Sequence, residues 1–99
     1  MKRGTTPQLR FILPFEVEEV DTGFITIVQF GETIAEKSWA ECTKEGTAVV
    51  ATLTQEETLK LKENFFLEIQ VRVKTVGGLA LASDIFKLPV DRILKEGVI

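Results

Sequence analysis

Along Phe65 to Lys74 apolar and polar residues trade places one by one, with Phe65, Leu67, Ile69, Val71 and Val73 set against Phe66, Glu68, Gln70, Arg72 and Lys74. Only the two-residue side-chain period of a β-strand sorts such a pattern onto one apolar and one mostly polar face. Thr75-Val76-Gly77-Gly78 supplies turn residues, and the β-rich stretch Leu79 to Val90 reads as the returning arm of a long hairpin. Alternation at Leu9, Phe11, Leu13 and Phe15 predicts an opening strand. Pro14 has no amide to donate, so that strand ends or lies at a sheet edge there. Glu16 to Gly23 is acidic, closes on Asp-Thr-Gly, and reads as a connection.

Phe24 to Phe30 carries apolar residues on both faces, as expected of a central strand or one with a bulge. Gly31-Glu32 turns it into Thr33 to Trp39, its hairpin partner. Lys44-Glu45-Gly46 is the next turn, followed by Thr47 to Leu53, where Val49, Ala51 and Leu53 share a face. Thr54-Gln55-Glu56-Glu57 has the form of a capping box, in which a hydroxyl accepts from the amide three residues on and a carboxylate reaches back. The helical period cannot run far before Phe65, so one or two turns are expected, bridging two sheets. In the tail, Val90, Ile93 and Leu94 have the spacing of a short helical turn. These elements predict an all-β fold over residues 1–99: a β-sandwich of six to seven mostly antiparallel strands, with one short helix near 54–62. A Greek-key or immunoglobulin-like order is the expected topology, with residues 1–7 and 95–99 as flexible ends.

Composition narrows the function more than the fold. With 99 residues, 44% apolar and 27% charged, the chain is an ordinary globular domain able to bury one core. The net charge is −3, and twelve Lys and Arg are dispersed among fifteen acids, so no basic footprint for nucleic acid or an anionic membrane appears. No apolar run reaches the roughly 20 residues of a membrane span, and Leu9 to Phe15 is too short and interrupted for a secretory core. A single cysteine, Cys42, forbids an internal disulfide and fits a reducing compartment, so synthesis in the cytoplasm is expected.

Reactive groups are scarce. The chain has no histidine, which removes the usual general base and the commonest metal ligand. Cys42 has neither a histidine nor an evident helix N-terminus to lower its pKa, and Glu41 and Glu45 would raise it if near, so it reads as a structural, half-buried thiol. Asp21-Thr22-Gly23 matches a tripeptide of aspartic proteases but lacks the apolar-strand context, and a plain turn is the better reading. Gly77-Gly78 lacks the lysine and following helix of a phosphate loop. Trp39 is either a sugar-stacking platform or a residue packed over the core, the second being commoner. The seven phenylalanines sit on strand positions and read as core. No catalytic, cofactor-binding or metal-ligating residue is assigned, no small-molecule substrate is expected, and the chain is read as non-enzymatic.

Two features point toward assembly. Phe24, Phe30, Phe66 and Ile12 fall on the second face of their strands, where they form a contact surface or are covered by loops or the tail. The apolar end Gly97-Val98-Ile99 docks on a neighbour or frays.

Three stretches taken together are familiar: Arg3-Gly4-Thr5-Thr6-Pro7 leading into Leu13-Pro14-Phe15, then Leu53 to Thr58, then Ile69 to Val73 with Leu81-Ala82-Ser83-Asp84. In these the chain resembles small proteins encoded in phages and prophages of Firmicutes, often among tail or baseplate genes. It is also similar to the N-terminal β-sandwich domain of phage baseplate upper proteins. The matched residues are turn, cap and strand positions, so the resemblance implies no functional residue. It implies a virion-associated structural or assembly role through contacts with other phage structural proteins or with further copies of itself. The alternative from a different class is a carbohydrate-binding or adhesion module using Trp39.

Overall fold

A computed structural model describes residues 1–99 as eight strands in two sheets with one short helix. The spine of the molecule is a pair of ten-residue strands, β2 (Val20–Gln29) and β6 (Phe66–Thr75), joined antiparallel. Their register sets Ile25 opposite Val71 and Ile27 opposite Ile69, so the alternation of each strand delivers its aliphatic residues to one inner face. β3 (Glu32–Ser38) flanks β2, while β7 (Ala80–Ala82) and β8 (Phe86–Pro89) share the far side of β6. The opposing sheet is narrower, with β5 (Ala48–Thr52) between β1 (Gln8–Ile12) and β4 (Thr43–Glu45). Val49, Ala51 and Leu53 close the core from that side.

The β2–β3 turn comprises Phe30 and Gly31, both at positive φ (54° and 74°), the type I′ geometry that matches strand twist. α1 (Gln55–Leu59) carries the chain from the narrow sheet to the wide one. Its capping box is formed at both ends: Glu57 N–H donates to Thr54 Oγ1 at 3.1 Å, and Thr54 N–H donates to Glu57 Oε1 at 2.9 Å. Gln29, buried on β2, both donates to the Lys62 carbonyl (2.8 Å) and accepts from the Lys62 amide (2.6 Å), anchoring the segment after the helix.

Several sequence expectations are corrected. The returning arm Leu79–Val90 is not one strand. Ser83 breaks it: Val71 N–H donates to Ser83 Oγ, Gln70 donates to the Ser83 carbonyl, and β8 pairs with β6 one residue out of step with β7. This is a bulge in which a hydroxyl takes over a ladder acceptor. Asp21-Thr22-Gly23 is not a turn but part of β2, beside an irregularity between Val20 and Thr22. Thr43–Glu45, only three residues, forms an unforeseen strand. The tail after Pro89 has no helical turn. In an immunoglobulin order the first, second, fourth and fifth strands share a sheet; here β2 lies in the other sheet, between β3 and β6.

Both chain ends make contacts. The Met1 ammonium donates to the Pro89 carbonyl at 2.8 Å, and Ile99 N–H donates to Gln55 Oε1 at 2.9 Å.

Candidate interaction surface

The core is aliphatic, built from Ile, Val, Leu and Ala with Cys42, and none of the seven phenylalanines is fully buried. Phe24, Phe30, Phe65, Phe66 and Phe86 are exposed, and Phe11 and Phe15 are half-buried. The reading of phenylalanine as core therefore holds only for Phe11 and Phe15, which pack against the aliphatic core, and fails for the five exposed ones.

The first concentration of apolar surface is a cleft of about 740 Å³ at one open side of the sandwich. It arises because the sheets differ in width. β1 is the edge of the narrow sheet, β7 and β8 form the edge of the wide one, and no strand closes the gap between them. Ile69, Val71 and Val73 of β6 lie at its base, Leu9, Phe11 and Leu13 on one lip, Leu81 and Phe86 on the other. Phe11 and Phe86 meet across it with ring centroids 6.0 Å apart. Its polar lining is sparse: Gln8, Arg10 and Ser83, with no carboxylate. Its volume falls in the roughly 300–1,000 Å³ range of clefts that take small ligands, and its wall is largely apolar as theirs are.

The second is at the β2–β3 turn. Phe30, 62% exposed, stacks edge-on against Phe65 at 4.9 Å, and Lys62 lies 5.6 Å from the Phe30 ring. Phe66 is equally exposed on the outer face of β6. Of the four second-face residues singled out from the sequence, Phe24, Phe30, Phe66 and Ile12 are all uncovered. Phe30 and Phe66 belong to one end of the wide sheet, Phe24 lies further along β2, and Ile12 is on the other sheet. Sequence missed Phe65, because β6 begins one residue later than its alternation suggests.

The remaining candidates are accounted for by packing. Cys42 is buried at 7% exposure and donates to the Ser38 carbonyl; burial raises its pKa, outweighing the opposing pull of Lys44 and Lys37. Trp39 heads a short 3₁₀ turn, packs on the core, and has Lys44 Nζ 5.5 Å from its ring, with that ammonium donating to the Trp39 carbonyl at 2.6 Å. Gly77-Gly78 forms the β6–β7 turn. No three cysteine, aspartate or glutamate side chains converge as a metal cluster, and no helix is long and apolar enough to cross a membrane. Comparison of this chain with protein-family models, curated proteins and solved structures finds no match.

Proposed function

We propose that this chain is a non-enzymatic structural or assembly protein of a phage or prophage particle, at the tail or baseplate, acting through protein–protein contacts. The observation that carries the contact role is the apolar surface the fold leaves open: a cleft lined by aliphatic residues with Phe11, Phe15 and Phe86, and, apart from it, the exposed Phe24, Phe30, Phe65 and Phe66. Exposed apolar side chains gathered at one place are candidates for contact, since a monomer gains nothing from keeping them in water. The phage context comes from the resemblance of the segments around Arg3–Pro7, Leu53–Thr58 and Ile69–Val73. Mass spectrometry of particles purified after prophage induction tests it. Peptides of this chain in stoichiometric amounts support the role; their absence from intact particles rejects a virion component.

The carbohydrate-module reading draws no support from Trp39. Its ring packs on the core and is attended by Lys44, which a sugar would have to displace. Blue-shifted indole emission protected from acrylamide is the expected result, and a red-shifted, quenchable one would revive the alternative.

A further inference from the structure

The edge of β1 is the one long lip of the cleft with backbone groups left free. β1 pairs only with β5, and the ladder is extended at both ends by the Leu53 amide donating to the Pro7 carbonyl and the Leu13 amide donating to Thr47. Antiparallel alternation then turns the amides and carbonyls of Leu9, Phe11 and Leu13 toward β5 and those of Gln8, Arg10 and Ile12 outward. Side chains alternate as well: Leu9 and Phe11 are half-buried and line the cleft with Leu13, while Gln8, Arg10 and Ile12 are exposed on the other face of the strand, at the rim of the cleft. A strand laid on this edge would therefore project alternate residues beside Leu9 and Phe11 into the cleft, and the intervening ones beside Arg10.

We propose that the open side of the sandwich is a strand-addition site for an extended segment of a partner protein, apolar at alternate positions and acidic between them, paired to the free edge of β1. The inference rests on the contact role proposed above and specifies its partner. Charge selects the acidic pattern: Arg10 is the only charged residue lining the cleft and forms no ion pair. Pro7 and Pro14 bracket β1 and limit pairing to a short segment. The devices that discourage indiscriminate edge pairing thus define the strand that fits. A second copy fits less well, because a two-fold pairing of β1 centred on itself sets Arg10 against Arg10. The chain's own apolar end is held elsewhere, at Gln55. A fatty acid would satisfy Arg10 and the cleft but leave three outward amides unpaired.

The test titrates the full-length, ¹⁵N-labelled protein with a nine-residue synthetic peptide alternating valine with threonine and glutamate, its lysine-for-glutamate counterpart, and oleate. The glutamate peptide should slow exchange of the Gln8, Arg10 and Ile12 amides at least tenfold while Leu9, Phe11 and Leu13 stay as protected as before. The lysine peptide should bind at least tenfold more weakly, and Arg10→Glu, an exposed change, should reverse that order. Ile12→Pro removes an outward donor without touching the β5 ladder and should abolish protection. Oleate perturbing Ile69 and Val71 without protecting the edge amides would replace the proposal with a lipid cleft. Edge protection that grows with protein concentration alone would assign the edge to a second copy. If neither peptide binds, strand addition is wrong; the presence of the chain in purified particles would then leave the structural role standing, and its absence would remove both.

Discussion

A methyl group at Gly23 would lie 3.0 Å from the Arg72 carbonyl oxygen, 3.1 Å from Trp39 and 3.1 Å from Val73. The first neighbour is ladder backbone that cannot turn aside, so Gly23→Ala should destabilise by about 1–3 kcal/mol through overpacking, read by urea unfolding. An unchanged midpoint would mean that β2 and β6 separate freely there. Phe30 presents the opposite case. At φ 54° a bulky side chain is strained by roughly 1–2 kcal/mol, and its edge-on contact with Phe65 in an exposed setting returns about 0.5–1.5 kcal/mol at most. Phe30→Asn should therefore leave stability unchanged or raise it by up to about 1 kcal/mol, with Asn tolerating the left-handed region. A loss beyond about 1 kcal/mol would show that packing holds Phe30 in place. A gain would identify it as a residue kept for contact at some cost to the fold. The sequence marked Phe30 as a candidate for a contact surface but not its strain, and Gly23 looked like a turn glycine. Close approach is set by residues distant in sequence, Trp39, Arg72 and Val73, and backbone strain by the hairpin as a whole.

Elements were legible where a period runs long enough to be heard. β3, β5 and β6 lie close to their predicted places, β5 and β6 because period-two alternation over five to ten residues has no helical counterpart, whereas β2 starts four residues early, in the stretch read as a connection. β4 failed because three residues carry no period, and the β7–β8 break failed because its cause is a side-chain hydroxyl, Ser83, replacing a backbone acceptor. The helix start was legible because its signal is local: the cap residues bond each other. That cap also makes a pH prediction. Burial of Glu57 disfavours its charge, but its pairing with Lys37 (2.8 Å) and its bond from the Thr54 amide outweigh burial and hold its pKa below the ordinary 4.5. A carboxylate whose folded pKa is the lower one stabilises wherever it is ionised in both states, and loses that contribution as pH falls from about 4.5 through the folded value. Glu57→Gln should cost about 0.5–2 kcal/mol near pH 7, and the difference from the parent should shrink steadily below pH 4.5. A cost independent of pH would mean that only the neutral hydrogen bond matters.

At the scale of the molecule, the all-β sandwich followed from the sequence but the cleft did not. A cleft is a difference between two sheet widths, and strand order is not written in any one strand. The structure resolves that difference at its two ends in different ways. One end is left open between β1 and β7, while the other is closed by the first residues of the chain, where Arg3 ties the end of α1 to the C-terminal tail. Its Nε donates to the Leu61 carbonyl at 2.7 Å, Nη2 to the Leu59 carbonyl at 2.9 Å, and Nη1 to Glu96 at 2.7 Å. The two carbonyls sit at and just past the end of α1, where a helix has no internal donors left to offer them. The exposed Glu96 contact contributes little, so the carbonyl bonds dominate, and Arg3→Ala should destabilise by about 1–3 kcal/mol. Arg3→Lys should recover less than half of that loss, because an ammonium cannot reproduce the planar fork that reaches Leu59 and Leu61 together. Glu96→Gln, which removes only the exposed charge, should stay within about 0.5 kcal/mol of the parent. Full recovery by lysine would instead make net charge at this end the stabilising factor, and the guanidinium geometry incidental.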